Sequence, residues 1–129
     1  MQPHSRFTVS GRARSMGFAV RGIRAMLATE HNAWIHAAAT TVAILLGYVL
    51  GLAPLEWCVL IISIVAVWSA EALNTALETL CNVASPEFHP LVERAKDIAA
   101  GAVLVSALGA TVVGLILFLP RILLRLHLG

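Results

Sequence analysis

The feature that most constrains this chain is the length of its uncharged runs. Ile98 to Leu119 is 22 residues without Asp, Glu, Lys or Arg, and Ala33 to Ala53 is another 21. About 20 such residues cross a bilayer's hydrocarbon core as a helix. A third uncharged run, Trp57 to Ala70, is shorter and leads into the acidic residues Glu71 and Glu78. With 59% hydrophobic and 12% charged residues, the chain cannot clothe a small soluble globule. It is also too apolar for intrinsic disorder. An ordinary cytosolic enzyme and a nucleic-acid-binding domain are excluded, and an integral membrane protein remains.

The fold class that follows is an all-α membrane protein. It has an N-terminal amphipathic surface helix at 12–29 and three transmembrane helices at 33–53, 57–83 and 91–119, together forming one domain over 1–129. The surface helix puts Met16, Ala19, Val20, Ile23, Met26 and Leu27 near one face and Arg14, Arg21 and Arg24 away from it, with Phe18 off the pattern. Basic amphipathic helices of this kind lie in the membrane interface. The plainer alternative is a basic membrane-proximal segment without fixed orientation. Pro54 and Glu56 mark a tight turn, where Glu56 reads as merely solvated. Ser85–Pro86 reads as the N-cap and first residue of the last helix, and Pro120 as its end.

Five of the nine basic residues, Arg6, Arg12, Arg14, Arg21 and Arg24, fall in the first 24 positions. The positive-inside rule keeps that segment cytoplasmic. The turn at 54–56 then lies outside, the loop at 84–92 inside and the C-terminus outside, against which Arg121 and Arg125 stand as exceptions. Small residues, Gly47 with Gly51 and the stripe Ala102, Ser106, Ala110 and Gly114, allow close helix packing within or between protomers. Cys58 and Cys81 read as small apolar residues.

The chemistry concentrates in EALNTALE, residues 71–78. Glu71, Asn74 and Glu78, at i, i+3 and i+7, share one helical face. Glu71 lies about 21 Å along the helix from Trp57, near the inner bilayer boundary. Ionisable groups at such depth are functional candidates. If the second and third spans form an antiparallel hairpin, Glu93, Lys96 and Asp97 meet the same layer, with Glu30 at the start of the first span. Carboxylates at three places suit magnesium, which needs one or two of them plus substrate phosphate, and Lys96 suits phosphate oxygens. That combination points to phosphoryl transfer, without a P-loop or a protein-kinase glycine loop. Taken alone, the pattern also fits a small ion- or proton-coupled transporter using Glu71 and Glu78, or a structural assembly protein. His36 and His89 read as interfacial or hydrogen-bonded residues, and Trp34, Trp57 and Trp68 as interface anchors or packing.

EALNTALETL, SPEFHPLVERAKDIAAGAVLV and TEHNAWIH resemble the small prokaryotic diacylglycerol and undecaprenol kinases, from about Arg12 to Pro120. HPL, AKD-x-AAGAVL and the closing FLP are more similar to the undecaprenol kinase branch. The resemblance implies a homotrimer with active sites shared between protomers, in the bacterial cytoplasmic (inner) membrane. It implies transfer of the ATP γ-phosphate to a lipid alcohol at the cytoplasmic face. Glu71 would be the general base, and Glu30 and Glu78 would hold magnesium. Asn74, Lys96 and Asp97 would contact or orient the nucleotide, assisted by Arg12 or Arg14. One departure stands out: Asn82 occupies a place where the family usually has aspartate.

Overall fold

The computed structural model describes residues 8–128, so Arg6 lies outside the described residues. Four helices follow in order: α1 (Val9–Thr29), α2 (His31–Leu50), α3 (Pro54–Ala84) and α4 (Pro90–Leu128). The last three are long and apolar enough to cross a membrane.

Thr8 opens α1, its hydroxyl oxygen accepting the Gly11 N–H at 3.3 Å. On the polar side, the Arg21 guanidinium sits 4.6 Å above the Phe18 ring. This cation–π contact explains the aromatic residue that breaks the apolar pattern. Glu30 is the single extended residue (φ −103°, ψ 118°) between α1 and α2. Met26 and Ala33, on either side of it, are buried.

The α2–α3 turn is built on Gly51, which takes φ +69° at the end of α2. Glycine adopts that left-handed conformation without a Cβ clash. Gly51 therefore serves to end a helix. Gly47 has its own constraint, because a Cβ there would stand 2.6 Å from the Trp57 ring. Pro54 is the first residue of α3, and the Glu56 carboxylate accepts the Ala53 N–H at 2.8 Å. The same carboxylate receives the Arg121 guanidinium at 2.7 Å. Glu56 is thus a helix cap and an ion-pair partner, contrary to the expectation of a solvated residue.

α3 and α4 pack as the main hairpin, with α2 against both. Next to the Glu56–Arg121 pair, Leu52, Leu60, Leu117 and Phe118 form the buried apolar cluster. α4 runs for 39 residues, about 58 Å at the helical rise. It passes through Pro120 instead of ending there. Arg121 Nη1 donates to the Leu117 carbonyl one turn back on α4 at 2.9 Å, and Arg125 Nη2 reaches across to the Val49 carbonyl of α2 at 2.8 Å. The two tail arginines that run against the positive-inside pattern are therefore engaged with the protein itself.

At the other end, residues 85–89 link α3 to α4. Ser85 closes α3 through its N–H to the Cys81 carbonyl, and its hydroxyl donates to the Glu87 carbonyl at 3.0 Å. The cap of α4 is His89, whose Nδ1 accepts the Leu91 N–H at 3.2 Å, and the second proline, Pro90, takes the first helical position. The sequence-based choice of Ser85 and Pro86 thus falls four residues early.

Candidate functional site

Glu71 is the buried charged residue of the described chain, with 1% of its surface exposed. It lies 17 positions into α3, on the face turned towards α2 and α4. There it lines a cavity of about 280 Å³ with Asn32, His36 and Asn74, closed on the α4 side by Ala100, Val103, Leu104 and Ala107. Small residues of α4 leave this space open. Four buried polar side-chain atoms lack a hydrogen-bond partner among the described residues: His36 Nε2, both Glu71 carboxylate oxygens and Thr75 Oγ1. Thr75 is one helical turn from Glu71, and His36 Nε2 stands 3.4 Å from Glu71 Oε2. That separation is a close polar approach that is not aligned as a hydrogen bond. Each buried orphan costs about 1–3 kcal/mol, so this patch is organised for something other than stability.

Two helical turns along α3 is the second part of the site. Lys96 Nζ on α4 donates to Asn82 Oδ1 at 3.2 Å and stands 3.4 Å from Glu78 Oε1. Glu78 and Lys96 are 42% and 34% exposed, which leaves both within reach of a ligand. Lys96 and Asp97 line a further cavity of about 410 Å³ beneath the 85–89 loop, together with Asn82, Glu87, His89 and Glu93. The expected hairpin thus brings Glu71 with Asn74, and Glu78 with Lys96 and Asp97, to one end of α3 and α4. Glu30 is half-buried at the α1–α2 joint and lines neither cavity. Arg12 and Arg14 sit in the first turns of α1, exposed, and line neither cavity.

Among the described residues, no three His, Cys, Asp or Glu side chains gather closely enough to enclose a metal ion. A hard cation that takes one or two carboxylates and completes its shell with phosphate and water needs no such group. The accessible Glu78 carboxylate suits that role.

Two features escaped the sequence reading. His36 faces Glu71 across a helix interface, and Asn82 holds Lys96. The available signal was that His36 is the one histidine inside an otherwise largely apolar run. The groove beyond Glu71 also matters: Ile35, His36 and Ala107 are shared with an apolar channel of about 320 Å³. That channel passes Leu60, Ile64 and Gly114 and reaches Phe118 at the opposite end of the hairpin.

Three helices long and apolar enough to cross a membrane, with a buried acid and an accessible lysine gathered at one end, mark a multi-pass membrane protein. Residues 17–118 match the family described as prokaryotic diacylglycerol kinase. The chain is 38% identical over 109 residues to the undecaprenol kinase of Bacillus subtilis, covering 84% of this chain and 89% of the relative. It is 36% identical over 110 residues to a diacylglycerol kinase of Synechocystis, covering 84% and 63%. It is 33% identical over 111 residues to the diacylglycerol kinase of Escherichia coli K12, covering 81% and 85%. The chain belongs to the prokaryotic diacylglycerol kinase family. It is a lipid kinase, and this membership favours the kinase over the ion- or proton-coupled transporter.

Proposed function

We propose that the chain transfers the γ-phosphoryl group of ATP to the hydroxyl of a membrane lipid alcohol, with undecaprenol preferred to diacylglycerol. The single observation that carries the reading is Glu71, a buried carboxylate with both oxygens unpartnered, lining a cavity that shares Ile35, His36 and Ala107 with the apolar channel. The channel takes only the first part of a lipid tail at about 320 Å³, and the hydroxyl at its head then meets the carboxylate. Glu71 accepts the hydroxyl proton as general base while the hydroxyl oxygen attacks the γ-phosphorus and ADP leaves. General-base catalysis of this kind contributes about 10²–10⁴-fold.

Lys96 contacts phosphate oxygens from its place between Glu78 and Asn82, and Asp97 borders the nucleotide. Asn74 orients the nucleotide or the Glu71 carboxylate from one turn away. Glu78 and Glu30 would hold Mg2+, which would neutralise phosphate charge. Arg12 and Arg14 complete the nucleotide site from the surface helix. Because Glu30, Arg12 and Arg14 border neither cavity within one chain, the site is completed by a neighbouring protomer in a homotrimer. The nucleotide side faces the cytoplasm of a bacterial inner membrane, on the grounds of the basic N-terminal segment. Undecaprenol is favoured by the HPL and AKD-x-AAGAVL segments and by the 38% identity to a relative of that name.

Transfer of label from ATP to undecaprenol and to diacylglycerol, side by side in bilayers with magnesium, tests the reading. Faster labelling of undecaprenol is expected. Preferential labelling of diacylglycerol reverses the substrate choice, and labelling of neither lipid removes the proposal.

A further inference from the structure

We propose that His36 is a positioning residue for Glu71: its Nε2–H donates to Glu71 Oε2 and leaves Oε1 aimed at the lipid hydroxyl. The inference rests on Glu71 being the base. The two side chains come from different helices, α2 and α3, and meet inside the membrane-spanning bundle. Nε2 is 3.4 Å from Oε2 and buried without any other partner, and the carboxylate is buried without any donor. A carboxylate removed from water and given no donor is costly, and one N–H directed at it lowers that cost. A single donor also fixes which oxygen points into the cavity.

The ring is already steered towards this role. Trp68 meets the His36 ring edge-on, with centroids 6.4 Å apart and planes at 66°. Trp68 is itself tied to α2 by its Nε1–H, which donates to Thr40 Oγ1 at 3.0 Å. Thr40 and His36 are one turn apart on α2, so one tryptophan braces the helix that carries the histidine. Among the residues lining the Glu71 cavity, only Glu71 and His36 titrate; the other polar side chains there are Asn32 and Asn74. Catalytic hydrogen bonds are often long and poorly aligned in an unliganded site and tighten around substrate. A small rotation of the imidazole makes this one. The proton from the lipid hydroxyl ends on Glu71, and His36 keeps its own.

The test measures lipid phosphorylation by the full chain in bilayers for His36→Ala, His36→Gln, His36→Asn and Glu71→Gln, and for His36→Ala combined with Glu71→Gln. His36→Ala is expected to lower kcat by up to about 100-fold, the loss that a misplacement of about 1 Å brings, while KM for ATP changes by less than about twofold. The Gln amide nitrogen reaches the place of Nε2, so His36→Gln restores most of the lost kcat. The Asn amide stops near Nδ1, so His36→Asn does not. In the Glu71→Gln background, removing His36 adds no further loss, because one residue acts through the other. Where that background is too slow to read, the Gln–Asn contrast decides alone.

Wild-type kcat in His36→Ala overturns the proposal. So does an equal loss in His36→Ala and His36→Gln, or an undiminished His36→Ala effect in the Glu71→Gln background. Wild-type turnover in Glu71→Gln alone removes the base assignment and this inference with it. The two failures are therefore distinguishable.

Discussion

A carboxylate held at 1% exposure without a hydrogen bond is unusual in a folded chain. The proposed function explains it as the base. Glu71→Gln keeps the shape and removes the basicity, so kcat is expected to fall by about 10²–10⁴-fold. The measurement is lipid phosphorylation at saturating ATP. Asn82 acts differently, through Lys96. Asn82→Ala leaves the lysine with Glu78 alone and is expected to raise KM for ATP about fivefold, as the loss of about 1 kcal/mol of hydrogen bonding does. KM for lipid should stay unchanged, and a change in lipid KM alone would place Asn82 elsewhere. Glu71, Asn74 and Glu78 were legible because spacing along one helix is a local property. The approach of His36 to Glu71 spans 35 positions and two helices, and periodicity carries no information about such a contact.

Among the helices, the long apolar runs announced α2, α3 and α4, but their ends depended on partners that local rules do not include. Pro120 reads as a terminator only when nothing else engages the carbonyls around it. Arg121 engages the Leu117 carbonyl and the helix continues through the proline, while Arg125 ties α4 to the Val49 carbonyl of α2. His89 displaces Ser85 as the α4 cap because its ring nitrogen meets the Leu91 N–H. The Gly47–Trp57 approach yields an element-level prediction. Gly47→Ala inserts a methyl where Trp57 already sits, and overpacking of this kind costs about 1–3 kcal/mol. Thermal unfolding in detergent should show a lower midpoint, whereas an unchanged midpoint would mean that Trp57 moves aside freely. Arg121→Ala should likewise lower the midpoint and make the chain after Pro120 more sensitive to protease.

At the level of the whole molecule, orientation and assembly become the questions. With Cys58 and Cys81 replaced by serine, a cysteine at Glu87 is expected to react with an impermeant maleimide only from the cytoplasmic side. A cysteine at Leu55 should react only from the outside. The reverse pattern inverts the topology. Native mass spectrometry is expected to show trimers, and an active monomer would contradict the shared site. The sequence made the membrane class plain from scarcity of charge alone. It also suggested a hairpin that gathers Glu71, Asn74, Glu78, Lys96 and Asp97, but not that Glu30, Arg12 and Arg14 line neither cavity, because helix periodicity does not fix how α1 sits against the bundle.

The two ends of the hairpin are built unlike one another. At one end the Leu52, Leu60, Leu117 and Phe118 cluster and the Glu56–Arg121 pair join α3 to α4 firmly. At the other, about 33 Å away along α3, the joint is an exposed loop and a lysine shared between two acceptors. The hairpin is in effect a cantilever. A beam clamped at one root moves most at its tip, and here the tip carries the phosphate-handling groups. Loosening the root, by removing Arg121 for example, changes how far the tip swings without touching any residue in it. A substitution at Glu56 is thereby expected to alter turnover at a distance no side chain spans.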